Sequence, residues 1–328
     1  MTQATDLAAM RRAIVLAAGV RAATSPNPWV GCVIEPGGFG GATNPPGGPH
    51  AEVVALAAAG DAARGSTLFT TLEPCSHTGR TPPCVDAIVD AGVARVVVGV
   101  EDPDPHVRGA GVRALRASGV QVDVGVAEDE VRAQLAPYLK HRRTGRPWVV
   151  LKLAASLDGR TAAPDGSSRW ITGAAARADG HRMRAESDAV IVGAGTVRAD
   201  DPALTARDAP GGSGRDPLRV VLGRAPAGAK VHPALELSGD LEGVLDELGR
   251  RGVLQAMVEG GPMVAGAFHR AGLVDRYVLY LAPALFGGDD GLPMFSGPGA
   301  PTIADVWRGR VVSVERLGDD LRLECSPA

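Results

Sequence analysis

Apolar and polar positions along the chain switch between a helical period and a strand period. After an N-terminal stretch with helical spacing, for which Thr5 and Asp6 offer an N-cap, Val30–Ile34 reads as a strand and 36–48 as a glycine-rich hairpin. Residues 51–59 (AEVVALAAA) read as a helix starting at His50, and Thr67–Thr71 as a strand. A loop rich in proline and polar residues spans 73–83. Then come a helix at 84–91, a buried strand at 94–100 (ARVVVGV), a helix near 109–118 and a strand at Val120–Val124. The charged segment Lys140–Pro147 (KHRRTGRP) interrupts the periodicity and is the expected domain boundary. The second half opens with a strong strand, WVVLKLAAS (148–156). Helices are expected near 174–185, 241–250 and 263–271. Strands are expected at Ala189–Gly193, Leu218–Leu222, Gln255–Val258, Tyr277–Leu281, Val311–Leu317 and Leu321–Cys325. The fold class is α/β, in two domains spanning 1–145 and 146–328, with no internal repeat.

Composition agrees with two ordinary globular domains in 328 residues, with 45% apolar and 22% charged residues. The net charge of −3 argues against a polyanion-binding protein. The 44 glycines and 25 prolines are spread without a period, which points to many loops that approach ligands closely. Only three basic residues are lysines, Lys140, Lys152 and Lys230, so a lysine inside an apolar strand stands out. Four cysteines in a chain of this length do not form a disulfide scaffold. Residues 13–22 follow Arg11 and Arg12 but are too short for a signal peptide, and no apolar run reaches membrane-spanning length. The expected location is the cytoplasm, with reduced thiols.

Three features of the first half belong together: His50-Ala51-Glu52, Pro74-Cys75 and Cys84. Two thiolates and one imidazole are the ligand set of a tetrahedral zinc with one position left for water. Glu52, two residues from His50 at a helix start, can reach over the metal without ligating it and move a proton. The pattern follows the His-x-Glu…Pro-Cys-x-x-Cys signature of zinc deaminases, except that eight residues separate the cysteines. Gly79, Pro82 and Pro83 suit the excursion this requires. The competing reading is two core thiols beside an incidental His-x-Glu, or a closed structural zinc. Cys32 and Cys325 read as core or incidental. Asn27, His77 and Arg80 offer an amide, an imidazole and a phosphate-pairing guanidinium for a substrate. Ordinary loop chemistry accounts for them equally well.

In the second half, Lys152 interrupts an apolar strand, which calls for an edge position or a polar site. Ser167-Ser168-Arg169-Trp170 gathers hydroxyls, a guanidinium and an indole in one loop. Gly193-Ala194-Gly195-Thr196 and Glu259-Gly260-Gly261-Pro262 each follow a strand and open a helix, an arrangement that suits phosphates. Neither fits G-x-G-x-x-G, so a dinucleotide would be held by an α/β fold other than the Rossmann type.

The segments NPWVGCVI (27–34), HAEVVAL (50–56), TLEPCSHTGRTPPC (71–84), KLAASLDGRTA (152–162), SSRWITG (167–173), TVRADDPALTAR (196–207) and VEGGP (258–262) occur in this order. With them the chain resembles the bacterial bifunctional riboflavin-biosynthesis family, a diaminohydroxyphosphoribosylaminopyrimidine deaminase fused to a 5-amino-6-(5-phosphoribosylamino)uracil reductase. The resemblance covers nearly the whole chain, and the eight-residue cysteine spacing is specific to this family among deaminases. It implies a cytidine-deaminase-like three-layer domain followed by a dihydrofolate-reductase-like domain. It assigns zinc to His50, Cys75 and Cys84, and proton transfer to Glu52. It places NADPH near Ala154, Trp170, Thr196, Asp200 and the segment Gly261, Pro262, Met263, Val264, Ala265, Gly266 and Ala267. The phosphoribosyl substrate falls to Lys152, Ser168, Arg184, Leu204, Arg207 and Glu259. It also implies a homo-oligomer, dimer or tetramer, acting on small molecules without nucleic acid or membrane. Two departures stand out: the hairpin between Ile34 and His50 is short, and Val231–Leu241 is compressed where many members carry an additional strand.

Three rival functions remain at this point. A nucleic-acid deaminase would need a basic face and stacking aromatics, whereas only 4% of residues are aromatic. A zinc-stabilised scaffold would need a fourth protein ligand. A deaminase with an inactive second domain would follow if the compressed region abolishes cofactor binding.

Overall fold

In the computed structural model the chain divides into two units, Met1–Gly145 and Arg146–Ala328. The described residues are 3–79, 81–104, 107–207 and 216–328. The first unit contains helices α1 (Gln3–Ala18) and α2 (Arg21–Thr24), strands β1 (Gly31–Glu35) and β2 (Phe39–Ala42), and helix α3 (Ala51–Ala59). After these come β3 (Thr67–Leu72), α4 (Cys84–Asp90), β4 (Arg95–Val100), α5 (Ala110–Ala117), β5 (Gln121–Val124), α6 (Glu128–Gln134) and α7 (Ala136–Thr144). The stretch KHRR, expected as a linker, is the end of α7. Gly145, at φ 72°, stops the helix, and its N–H donates to the His141 carbonyl at 2.8 Å. The three basic residues of that last turn suit the negative end of a helix, which is why they read as a solvated linker in sequence alone.

The sheet of this unit runs β2-β1-β3-β4-β5. β1 is antiparallel to both neighbours, and β3, β4 and β5 are parallel. Asp6 does not cap α1. It is buried within the helix, where Arg95 from β4 donates to its two oxygens at 3.1 and 2.7 Å and to Asp123 of β5 at 2.7 Å. One guanidinium therefore ties α1 to two strands, and a partly buried bidentate contact of this kind fixes geometry as well as charge.

In the second unit the order is β6 (Trp148–Ser156), β7 (Arg160–Ala162), α8 (Ala174–Ala185), β8 (Ala189–Gly193), α9 (Ala194–Asp200), β9 (Leu218–Leu222), β10 (Leu235–Leu237), α10 (Leu241–Arg250) and β11 (Gln255–Val258). The unit closes with α11 (Pro262–Arg270), β12 (Arg276–Ala282), β13 (Leu292–Pro293), β14 (Gly309–Leu317) and β15 (Asp320–Pro327). Eight strands form one sheet, β10-β9-β8-β11-β6-β12-β15-β14. The strands from β10 to β12 are parallel, and the closing hairpin is antiparallel. Parallel strands are covered on both faces and so read as apolar runs. One core layer holds Leu151, Leu245 and Phe268, and the other holds Val150, Met183 and Tyr280. The compressed region is not devoid of a strand: Leu235–Leu237 adds to the sheet edge beside Val220–Leu222. Three residues with Glu236 at their centre and loops on either side carry too little alternation to be read from sequence.

The helix that begins after His50 is seated by a glycine. A Cβ at Gly41 of β2 would lie 2.3 Å from the Ala51 carbonyl oxygen and 2.5 Å from the Ala55 nitrogen. Gly41→Ala must therefore lift α3 off the hairpin, at a cost of about 2–4 kcal/mol. Thermal and urea unfolding are both expected to show the first unit losing structure earlier. Gly228→Ala, where nothing lies within 4 Å of the new Cβ, should leave both unchanged.

Candidate active sites

His50 occupies the N-cap position of α3, and Cys84 is the first residue of α4. The ligand atoms of His50, Cys75 and Cys84 all lie within 4.8 Å of one another. His50 Nδ1 is 3.3 Å from Cys84 Sγ and 3.6 Å from Cys75 Sγ. Ideal tetrahedral zinc, with Zn–N of about 2.0 Å and Zn–S of about 2.3 Å, separates an imidazole nitrogen from a thiolate by about 3.5 Å. The donor set and its spacing fit zinc, and they select Nδ1 as the ligand, a detail invisible in sequence. The other ring nitrogen, Nε2, faces Thr81 Oγ1 at 3.4 Å, which orients the ring.

One of the two sulfurs is prepared electrostatically as a thiolate. A hydrogen bond from Cys84, aided by His50 and working against burial, holds the Cys75 thiol down to about 4. The Cys84 N–H also points at Cys75 Sγ, 3.4 Å away. Cys84 is shifted upward because its proton is shared with Cys75. Glu52 lies in the first turn of α3 and is 3% exposed. Burial above all pushes its carboxyl up to about 7, so it can hold or release a proton near neutral pH.

His50, Glu52 and Cys75 open into a cavity of about 430 Å³. Asn27 and His77 line it, whereas Arg80 lies outside the described residues. Asp102, Asp104, Tyr138 and Arg142 line it too, and sequence reasoning missed them. The Tyr138 hydroxyl donates to Asp102 Oδ2 at 2.8 Å. The available signal was position: Asp102 and Asp104 follow the carboxyl end of β4, where ligands of parallel sheets gather. Glu73 was missed as well. Its two oxygens accept N–H bonds from Asp102, Gly109, Gly111 and Val112 at 2.9–3.1 Å, fixing the start of α5 beside the Pro74-Cys75 loop.

In the second unit Lys152 is not an edge lysine, because β6 lies between β11 and β12. Its Nζ donates to Glu259 Oε1 at 3.1 Å. Arg184 of α8 donates through Nε to Glu259 Oε2 and through Nη2 to Oε1, both at 2.8 Å. Burial opposes ionisation of Glu259, yet the two cations overcome it and hold the carboxyl down to about 2.

Nearby, Thr196 Oγ1 accepts the Gly261 N–H at 3.1 Å, joining the starts of α9 and α11. Arg169 Nη2 donates to the Asp200 carbonyl at 2.8 Å. Ala154 and Leu204, the latter at φ 50°, belong to one apolar cluster with Ala194. The Arg207 N–H points at His181 Nδ1, 3.4 Å away. Ser168 is half-buried, and Trp170 is 69% exposed with the Arg177 guanidinium 4.6 Å from its ring. In the Gly261–Ala267 segment, Pro262 begins α11, Met263 is exposed, and Ala265 and Gly266 face the core. A Cβ at Gly193 or Gly260 would lie 2.9 or 2.7 Å from Val264, so strand ends and helix meet without intervening side chains. Pro262 has no N–H and the Gly261 N–H is given to Thr196, so the N–H groups of Met263 and Val264 are the ones at the positive end of α11 that suit a phosphate of a dinucleotide such as NADPH.

Fold and sites together define a two-domain enzyme, a zinc deaminase unit followed by a reductase unit. Residues 3–100 match the cytidine and deoxycytidylate deaminase zinc-binding region, and residues 147–323 match the RibD C-terminal domain. The chain is 45% identical to the riboflavin biosynthesis protein RibD of Mycobacterium tuberculosis, over 96% of this chain and 95% of that protein. It is 39% identical to RibD of Escherichia coli over 96% and 97%. Among solved structures, Acinetobacter baumannii RibD superposes with a TM-score of 0.92 at 38% identity, covering 100% of both chains. A Thermotoga maritima deaminase/reductase gives 0.87 at 34% identity, covering 99% of both. The chain belongs to the RibD family of riboflavin biosynthesis proteins. It is a bifunctional enzyme with deaminase and reductase activities, using zinc and NADPH, and the match across 147–323 supports both activities rather than deamination alone. Among the described residues no helix is long and apolar enough to cross a membrane.

The Glu259 triad has a defined pH signature. Its carboxyl titrates below the unfolded value near 4.5, so its stabilisation is complete above that value and is lost as pH falls toward about 2. Glu259→Gln leaves two partly buried cations without a counter-charge and is expected to destabilise the second unit by about 3 kcal/mol at pH 7. The difference from the unsubstituted protein should shrink at pH 3 when both are followed by calorimetry.

Proposed function

We propose that residues 1–145 hydrolytically deaminate 2,5-diamino-6-(5-phosphoribosylamino)pyrimidin-4(3H)-one, and that residues 146–328 reduce the ribosyl group of the resulting 5-amino-6-(5-phosphoribosylamino)uracil to ribityl. The observation that carries the reading is the convergence of three zinc-compatible ligand atoms with a buried, proton-holding Glu52 at one cavity. In support, the Thermotoga relative is described as the deaminase and reductase acting on these two compounds.

When bound, zinc supplies the Lewis acidity that activates water for attack on the amine-bearing carbon. Glu52 takes a proton from the attacking water and delivers it to the departing ammonia. Asn27 and His77 hold the substrate in the cavity. In the second unit Lys152, Arg184 and Glu259 present fixed charges to the ribosyl compound together with Ser168, Leu204 and Arg207. Ala154, Trp170, Thr196, Asp200 and the Gly261–Ala267 turn would hold NADPH, which would supply the hydride for the reduction.

The activity belongs in the cytoplasm, where both sulfur ligands stay reduced. The protein acts as a homo-oligomer, a reading supported by the exposed valines 311, 312 and 314 on edge strand β14. Sedimentation should return a multiple of 33.5 kDa, and a monomer at micromolar concentration would refute it.

Two measurements test the deaminase reading. Glu52→Ala should retain one zinc per chain by metal analysis yet release ammonia at least about 10²-fold more slowly. Cys75→Ser should lose most of its zinc and its ammonia release together. Near-normal ammonia release in Glu52→Ala would remove Glu52 from the reaction.

A further inference from the structure

The closing hairpin carries two buried polar side chains whose partners lie on the elements that build the reductase site. β14 and β15 turn over Leu317–Asp320 at the end of the sheet. Asp320 is 3% exposed, and its Oδ2 accepts the Gly173 N–H at 2.7 Å. Gly173 is the N-cap residue of α8 and closes the SSRWITG segment that contains Ser168 and Trp170. Glycine has no side chain with which to cap a helix, so the carboxylate comes from 147 residues away. That oxygen also suits the positive helix end, and it fixes where the segment 167–173 enters α8.

Arg322 makes the second connection. It is 6% exposed, with Nε 2.9 Å from Asp179 Oδ2. Asp179 Oδ2 in turn accepts the Tyr280 hydroxyl at 2.5 Å, and the Tyr280 ring lies with its centroid 5.5 Å from Lys152 Nζ. Glu315 and Glu324, from the two strands of the hairpin, hold the same guanidinium.

We propose that the β14–β15 hairpin is a positioning element of the reductase site. Asp320 sets the segment 167–173 through the Gly173 amide, and Arg322 sets Tyr280 beside Lys152 through Asp179. Both hairpin residues act through other side chains or amides, and the proposal rests on the reading of Trp170 as a cofactor contact.

The test uses the full-length protein, with ammonia release as an internal control for the first unit. Hydrogen exchange of the Gly173 amide without cofactor, and NADPH affinity by fluorescence titration, are measured for Asp320→Ala, Asp320→Asn and Trp170→Ala. In Asp320→Ala the amide should exchange at least about tenfold faster and NADPH bind about fivefold more weakly, with ammonia release unchanged. Asp320→Asn keeps an oxygen acceptor and should fall between, at about two- to threefold. If Trp170→Ala weakens NADPH binding but Asp320→Ala does not, the hairpin's role is overturned and the reading of the loop stands. If neither variant changes binding, both are overturned. Parallel loss of ammonia release in Asp320→Ala overturns the positioning role in favour of general damage. Should Asp320→Ala fail to fold, Asp320→Asn decides, and NADPH affinity and amide exchange equal to those of the unsubstituted protein overturn the proposal.

Discussion

Two helix N-termini aim at one point in the first unit, and that convergence is the constraint around which the unit is arranged. α3 begins at His50 and α4 at Cys84, so both present the positive ends of their backbones to a place where thiolate charge must sit. The tie is reinforced locally, since the Val85 N–H donates to the Cys75 carbonyl at 3.2 Å while the Cys84 N–H faces the Cys75 sulfur. Other features of the unit serve this meeting. Gly41 lets α3 descend onto the hairpin, and Glu73 anchors the start of α5 next to the Pro74-Cys75 loop. The eight residues between the cysteines are the length of chain needed to leave one strand end and return at the head of a helix.

The second unit meets a different electrostatic problem with the same geometry. Its charged cluster stands just past the carboxyl end of β11, where Glu259 lies level with Lys152 midway along β6 and Arg184 reaches in from α8. Here one carboxylate offsets two cations within the protein, whereas the thiolates of the first unit are matched to a metal. A buried ion group is costly to desolvate, and such groups survive where they fix geometry rather than add stability. Glu259, bonded on both oxygens, leaves Lys152 and Arg184 little freedom to turn away from the site.

Much of the architecture was legible in the sequence because its period was strong. The strands at 95–100, 148–156 and 189–193 are buried apolar runs, and the helix at 51–59 announces itself by composition. What escaped was structure whose signal is non-local. α6 and α7 are polar, and their stability comes from packing rather than periodicity. Asp6 looked like a cap because Asp is a common cap; only the folded chain reveals that Arg95 claims it. The zinc ligands carried a spacing signature and could be read directly. Asp102, Tyr138 and Glu73 carried none, since they reach the site from separate elements and their roles follow from tertiary contact alone.

The central place of β6 also shapes the order in which this chain can acquire its structure. Trp148 pairs with Gln255, and Lys152 with Val278, so the nine residues of β6 find no parallel neighbour until more than about a hundred further residues have been made. The units before and after Gly145 thus face different hazards during synthesis. The first can close its sheet from strands within its own 145 residues, while an apolar strand just beyond it waits for partners. Such a strand is a site of mispairing with other nascent chains. In this enzyme the dependence on chaperones, and the yield lost on overexpression, should therefore reside in the reductase half.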